Sequence, residues 1–482
     1  MSSHTSAPPA PAATATPLNP RRWTALVLLC LAQFMLILDV TVVNVALPSI
    51  GDDLMISRSQ LTWVVTAYVL TFGGLMLLGG RLADVVGRRR ILLTGLALFT
   101  VSSLVCGLAG DGLLLVAGRA TQGVGAALLS PAALSIITTS FHGNERNRAL
   151  GVWAVIGGSG AAVGVLIGGL LTAGPGWEWI FFANVPVGLA VLLTVPAVVP
   201  ADPPRQDAGR LDVPGALLGT AAAVLLVYGL VEAGDSGWTA PQTLLPIAAA
   251  AVLGGAFVAV ERAVRNPLIR VELLRQRSVV AGTFVMLVAS GLMLSLFFLS
   301  SVYLQGVRGF DAVATGLTFL PAAVAITVGA HLAGRLVGRV GSRAVAAAAL
   351  ALTALGIGLL TRLTAESDVI TEFLPGYVLA ALGLGPAFVV ATTTALSRVP
   401  HDQAGLASGI VSTSHEIGGA IGVAVMSAVA AGSVVTGVHD AGGFTDAFTV
   451  GAVAAGVAAL AALRLVPPGK PARAAFGHGH VH

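Results

Sequence analysis

Fourteen apolar runs, each long enough to cross a lipid bilayer, leave this chain few ways to fold. They fall at 23–48, 61–79, 91–109, 113–137, 149–172, 179–199, 213–233, 243–261, 279–303, 313–335, 344–362, 374–396, 405–431 and 446–465. About 20 helical residues cover the hydrocarbon layer. Within it every backbone N–H and C=O must be satisfied inside the segment, so runs of this length are helices. The first run is too long for the apolar core of a signal peptide, holds Asp39 and Asn44, and is followed by thirteen more. Charged residues make up 10 % of the chain, against about a quarter in soluble proteins. The fold class expected is an all-α polytopic membrane protein. Its 60 glycines suit close helix–helix contact.

The short connections give a direction. With both termini inside, all of the 26 basic residues except Arg58, Arg119, Arg308 and Arg362 fall in inner loops and tails. Shifting the count by one span would scramble that asymmetry, so the termini are expected in the cytoplasm and the spans in the cell membrane. The basic residues form no patch interleaved with aromatics, so no nucleic-acid partner is expected. Lys470 is the only lysine, and no G-x-x-x-x-G-K-[ST] loop can be written around it, which excludes a P-loop ATPase. Cys30 and Cys106 lie inside apolar runs, where neither suggests a disulfide or a metal site.

The chain also repeats. Gly80-Arg81-Leu82-Ala83-Asp84-Val85-Val86-Gly87-Arg88-Arg89-Arg90 is echoed by Gly334-Arg335-Leu336-Val337-Gly338-Arg339-Val340-Gly341-Ser342-Arg343, and Gly123-Val124-Gly125 by Gly383-Leu384-Gly385. Two parallel six-helix halves with two inserted central helices account for both echoes. The division expected is a disordered tail at 1–20, a six-helix half at 21–200, two inserted helices and a cytoplasmic linker at 201–278, a second half at 279–466, and a tail at 467–482. His478, His480 and His482 in that last tail are read as solvated rather than as a metal site.

Ionisable side chains inside a bilayer cost roughly 3 kcal/mol on insertion scales, so the few present are the first functional candidates. Asp39 reads as a proton carrier, or as a structural hydrogen-bond partner. Glu416, with His415 beside it, lies about 16 Å into the thirteenth run at the helical rise, close to mid-bilayer. It reads as a second proton site, as a counter-charge for cationic substrates, or as polar glue between helices.

Four stretches resemble motifs of the major facilitator superfamily, and more narrowly of its fourteen-helix drug:proton antiporters (the EmrB/QacA type). They are Leu38-Asp39-Val40-Thr41-Val42-Val43-Asn44-Val45-Ala46-Leu47-Pro48, the Gly80–Arg90 stretch, Arg119-Ala120-Thr121-Gln122-Gly123-Val124-Gly125-Ala126, and the spaced glycines Gly151, Gly160, Gly164, Gly168 and Gly169. Two departures stand out. Val165 occupies a place where the family has proline, and Glu178 a place where it usually has arginine.

The resemblance implies proton-coupled export of hydrophobic or cationic drugs by alternating access. No enzyme activity and no cofactor are implied, and the working unit is a monomer. Asp39, Arg119, Glu416 and His415 would serve proton coupling. Arg119 would relay protons or pair with Asp39; alternatively it snorkels to the outer headgroups. Asp39→Asn is expected to fold normally and to lose coupled export. Asn44, Trp63, Tyr68, Gln122 and Trp153 are candidate substrate contacts, each with ordinary packing as the alternative. Gly80, Arg81, Asp84, Gly87, Arg88, Gly160, Gly164 and Gly168 would serve gating, with Asp84 as a latch against an inner-loop arginine or the start of the eleventh helix. A proton-coupled uptake symporter is the alternative, and a membrane sensor without transport a remote one.

Overall fold

The computed structural model describes residues 20–141, 145, 148–149, 152–153, 163–164, 166–202, 212–264, 267–269, 273–399, 404–433 and 442–468. Every regular element among them is helical. Thirteen helices are long and apolar enough to span a bilayer. They are α1 (Arg22–Leu54), α2 (Arg58–Val86), α3 (Arg88–Gly107), α4 (Gly112–Ser140), α5 (Trp179–Val198), α6 (Val213–Ser236), α7 (Pro241–Ala263), α8 (Arg277–Val307), α9 (Ala312–Val340), α10 (Ser342–Leu360), α11 (Val369–Leu396), α12 (Ala404–Ser433) and α13 (Gly442–Leu465). The fifth apolar run lies largely outside the described residues, Gly151, Gly160 and Val165 included, although residues 166–173 are helical. The histidines of the C-terminal tail lie outside them too.

Polar caps start several helices. Ser57 closes a capping box with Gln60 at the start of α2, and Asp111, Asp212 and Asp311 cap α4, α6 and α9. Each such cap contributes about 1 kcal/mol. The helices outrun their apolar runs. The Gly80–Arg90 stretch, read from sequence as a loop, is helical except at Gly87, so Arg81 and Asp84 ride on the last turns of α2. Gly87 has φ +115°, and Gly341, at the matching joint between α9 and α10, has φ +87°. Only glycine takes such angles without strain, so one residue makes each reversal.

A second device is doubled between the halves. Proline lacks the N–H that would bond the carbonyl four residues back. Pro131 so frees the Ala127 carbonyl in α4, and Pro386 frees that of Leu382 in α11. A glycine of the second helix of each half sits against the freed oxygen. A Cβ on Gly79 would come within 2.0 Å of Ala127 O, and one on Gly329 within 2.4 Å of Leu382 O. The Gly123/Gly383 echo is looser. Gly123 packs on α2 and Gly125 on α3, whereas Gly383 packs on α10 and Gly385 on α9. Each pair serves both neighbours, in opposite order.

α8–α13 form one bundle and α1–α5 another, while α6 and α7 pack on each other and α6 lies against α2 and α12. The bundles meet firmly at the end where α1 turns into α2. There α1 runs through Pro48, which frees the carbonyl of Asn44, and Ser301 of α8 donates to that oxygen at 2.6 Å. Gln305 donates to Val45 O at 2.8 Å, Thr62 and Ser427 hydroxyls meet at 2.8 Å, and a Cβ on Gly169 would touch Ala312 O at 2.6 Å. At the opposite end, Gly334 and Gly338 of α9 have open space where a side chain would stand.

Candidate functional site

Asp39 lies at the centre of the first bundle, 1 % exposed, on a helix whose neighbours are apolar. An ion there persists only if its acceptors are filled. Arg119 Nη1 of α4 donates to Asp39 Oδ2. Gln122 Nε2, one turn along α4, donates to Oδ1 at 2.9 Å, and Asn184 Nδ2 of α5 to the same oxygen at 3.1 Å. Arg119 is equally hidden. Its Nη1 also donates to Gln122 Oε1 at 2.6 Å, and its Nε to the Val64 carbonyl of α2 at 3.0 Å. The Tyr68 ring lies 4.3 Å from its guanidinium carbon and the Phe181 ring 5.8 Å. Such a desolvated cation–π contact contributes about 2 kcal/mol. Gln122 extends the network to Ser103 Oγ of α3 at 2.8 Å. One polar cluster thus joins α1, α2, α3, α4 and α5.

The geometry removes the snorkelling alternative for Arg119. α1 reaches Leu54 and Tyr68 covers the guanidinium, so the side chain has no path to the headgroups. It also sets a stability prediction against the expectation that Asp39→Asn folds normally. That change removes the charge facing a fully buried arginine, and breaking a buried pair from one side costs about 3–5 kcal/mol.

Both carboxylate oxygens of Asp39 accept hydrogen bonds from its own bundle. Of these donors only Arg119 carries a charge that compensates the carboxylate. A released Arg119 would pull on Val64 and Tyr68, both on α2. Arg119 thereby ties Asp39 to α2.

Glu416 of α12 sits at the seam between the bundles. A Cβ on Gly73 of α2 would come within 2.3 Å of Glu416 Cβ. His415 Nδ1 lies 3.3 Å from Glu416 Oε1, its ring 5.5 Å from that of Phe388, and Ser290 of α8 donates to its carbonyl. The imidazole is about one third exposed and the carboxyl 15 %. Unlike Asp39, this acid keeps partial access to its surroundings.

The candidate substrate contacts separate into four places. Tyr68 and Gln122 are fully buried in the Asp39 cluster. Asn44 donates to Val40 O at 2.7 Å, while its Oδ1 is buried without a donor. Trp63 leans on Tyr228 of α6 at 6.3 Å, toward the inserted hairpin, and Trp153 is half-buried. The structure does not gather the five around one space. Among the gating residues, Gly164 and Gly168 press on α1: a Cβ would come within 1.9 Å of Thr41 Oγ1 and 3.0 Å of Val42 Cα. Gly80 has ordinary room beside Pro131. Asp84 is half exposed, 3.9 Å from Arg88 one turn on. Glu178 is half-buried beside Gly176.

Sequence reasoning missed four members of these clusters. Asn184 carried a signal, as a lone amide in the apolar stretch Trp179–Val198. Ser103 and the Val64 carbonyl carried none. Asp202 follows α5, accepts from Arg89 N at 2.9 Å and lies against Gly87, pinning the joint between α2 and α3.

A helical bundle of two similar halves, with a buried ion pair in one and a carboxyl at the seam, defines a secondary transporter of the membrane. The family model described as Major Facilitator Superfamily matches residues 29–423 and 327–480, and the chain belongs to that family. It is 42 % identical over 420 residues to the puromycin resistance protein pur8 of Streptomyces alboniger, covering 86 % of this chain and 83 % of that one. It is 40 % identical over 411 residues to the cephamycin export protein CmcT of Amycolatopsis lactamdurans, covering 84 % of each. Among solved structures, the POT family transporter PepTSo superposes with a TM-score of 0.67 at 16 % identity, over 93 % of this chain and 98 % of that one, a likeness of fold. The protein is a transporter rather than an enzyme.

Proposed function

We propose that this protein exports hydrophobic or cationic drug-like compounds from the cytoplasm in exchange for protons. The observation that carries the reading is Asp39, a fully buried carboxylate whose two oxygens both accept from its own bundle and whose charged donor is tied to α2. The relatives' names, which speak of puromycin resistance and cephamycin export, supply the substrate class.

The excess of basic residues on one side supports placing both termini in the cytoplasm of a cell-membrane protein. In that frame the sealed end, with its Asn44–Ser301 and Thr62–Ser427 contacts, faces outward, and the structure is inward-facing. The halves at 21–200 and 279–466 rock about a central seam, with 201–278 inserted between them and the tails at 1–20 and 467–482 inside the cell. A proton arriving from outside displaces Arg119 from Asp39; the freed arginine shifts α2 against Glu416, and drug leaves. Asp84, half exposed beside Arg88, is the latch of the opposite state, when the inner ends close. The cycle needs only the proton gradient, with no cofactor, and runs in a monomer.

Everted membrane vesicles test the reading. Energised vesicles should accumulate the drug, and adding drug should discharge the pH gradient. Vesicles carrying Asp39→Asn at equal abundance should do neither. Protons and drug moving in the same direction would establish the uptake symporter instead.

A further inference from the structure

The inserted hairpin holds a second pair of buried acids, which the transport cycle above does not use. Asp212 opens α6 and Glu261 lies near the end of α7; they are 5 % and 3 % exposed. Each carboxyl spends one oxygen on a backbone N–H. Asp212 Oδ1 accepts from Gly215 N at 2.9 Å, and Glu261 Oε2 from Ile269 N at 2.8 Å. The remaining oxygens, Asp212 Oδ2 and Glu261 Oε1, are buried with no donor. They also point at the same spot. A Cβ on Gly215 would lie 2.5 Å from the first and 2.7 Å from the second.

Two bare carboxylate oxygens that converge in a dry place repel strongly and leave both desolvation costs uncompensated. One proton resolves this, because a protonated carboxyl donates to its ionised neighbour. Among the described residues the surroundings offer no other remedy. Asp212 is the charged group acting on Glu261. Arg262, the next residue, is exposed, as are Arg275 and Arg277 beyond the linker. On α6 itself, Glu232 and Asp235 stand at the far end. On the two helices packed against α6, the ionisable residues are Arg58, Tyr68, Arg81 and Asp84 of α2 and His415 and Glu416 of α12, and among the described side chains none of them forms a salt bridge with Asp212 or Glu261.

We propose that Asp212 and Glu261 share a single proton, and that this proton fastens the α6–α7 hairpin to the linker at Leu268–Ile269. Gly215 is the residue that lets the two carboxyls meet. The hairpin lies against α2 and α12, the helices that form the seam, so deprotonation would loosen the insert where the halves rock. In the orientation given above, the pair stands at the cytoplasmic end and reads cytoplasmic pH. The sign follows from linkage. The folded state keeps a proton that the unfolded chain has lost, so stability falls as pH rises through the titration of the pair.

Infrared difference spectroscopy on the full-length protein in lipid bilayers, stepped from mildly acid to mildly alkaline pH, tests this without any transport assay. Wild type should show a protonated-carboxyl band of one proton per chain that Asp39→Asn retains. Glu261→Gln and Asp212→Asn should each lose it, and Gly215→Ala, which keeps both acids but wedges them apart, should weaken it. The double change Asp212→Asn/Glu261→Gln lets two amides bond each other with no proton, so its melting temperature should stop falling with pH. A Glu261→Gln spectrum identical to wild type would overturn the proposal. So would carboxylate bands that move on adding sodium or magnesium, because the pair would then hold a cation.

Discussion

In both halves the first, second and fourth helices meet in the membrane core, and the two meetings are chemical opposites. In the first half Asp39, Tyr68 and Arg119 come together with Gln122 and Asn184. In the second half the same helices bring together Phe297, Phe319 and Tyr377, with ring centroids 5.1–6.3 Å apart and Phe373 stacked at 5.1 Å. The backbone devices are shared: Gly87 and Gly341 reverse the chain, and Pro131–Gly79 and Pro386–Gly329 join the second and fourth helices. The halves therefore keep one scaffold and divide the labour. The ionic centre has two charge arrangements separated by one proton, whereas the aromatic centre has a single close-packed one. If Asp39 switches as proposed, the second bundle is the body against which the first would move.

The largest effect should come from breaking the ionic centre on one side. Asp39→Asn should lower the stability of the purified protein by about 3–5 kcal/mol and abolish proton-coupled drug movement, because Arg119 is left buried without its counter-charge. Asp39→Asn/Arg119→Gln should recover most of the stability and none of the transport. Thermal melts of the singles and the double, read as a cycle, check the coupling. Additive losses would mean that the two side chains do not act as a pair.

Next in size is the acid at the seam. Glu416 keeps partial access and, among the described residues, has His415 alone as ion partner, so Glu416→Gln removes a charge without stranding a buried one. Efflux of a cationic drug should drop about tenfold, roughly 1.4 kcal/mol, while a neutral drug is little affected. Equal loss for both compounds would move Glu416 into the coupling machinery beside Asp39.

A solvated ion pair gives the contrast with Asp39–Arg119. Arg22 Nε donates to Glu145 Oε2 at 3.0 Å, at the start of α1. The hydrogen bond from Arg22, aided by the charges of Arg22 and Arg148, holds the Glu145 carboxyl below the usual carboxylate range. A depressed value contributes stability that is present above the unfolded value, about 4.3, and is lost as pH falls through the folded one. Glu145→Gln should therefore melt slightly below wild type at neutral pH and level with it in acid. The gap should close in high salt, since exposed charges are screened. A gap that persists in salt would mean the pair is far less solvated than its surface position implies.

Much of this was legible in the sequence, and what was hidden follows a rule. Run length and loop charge revealed the spans, because the bilayer imposes both locally. Gly87 and Gly341 were visible as an echo, because a reversal within one residue demands glycine. Asp39 stood out as a charge in an apolar run. Its partner did not, because Arg119 is 80 residues away and sits seven residues into α4, a depth that snorkelling also explains. Only the reach of α1 past Pro48 and the ring of Tyr68 decide that case. Asp212 was legible as a cap before Pro214, but its meeting with Glu261 was not, since nothing local aims two carboxyls at one glycine. The five candidate substrate contacts scattered because residue type shows what a side chain could bind and not which way its helix turns it.

The smallest effect is the one that sharpens the comparison most. Tyr377 is 1 % exposed, and its hydroxyl is buried with no hydrogen-bond partner. If the second centre is only packing, that oxygen does nothing, and Tyr377→Phe should leave export unchanged while shifting stability by no more than about 1 kcal/mol, in the stabilising direction. Tyr68 has the same orphaned hydroxyl, but its ring covers Arg119. Tyr68→Phe should likewise be mild, because the ring face carries the contact, while Tyr68→Leu should uncover the guanidinium and slow export. Matched melts and efflux rates for the three variants decide it. A transport defect in Tyr377→Phe would mean that the aromatic centre also moves in the cycle, and the two halves would then share the switching.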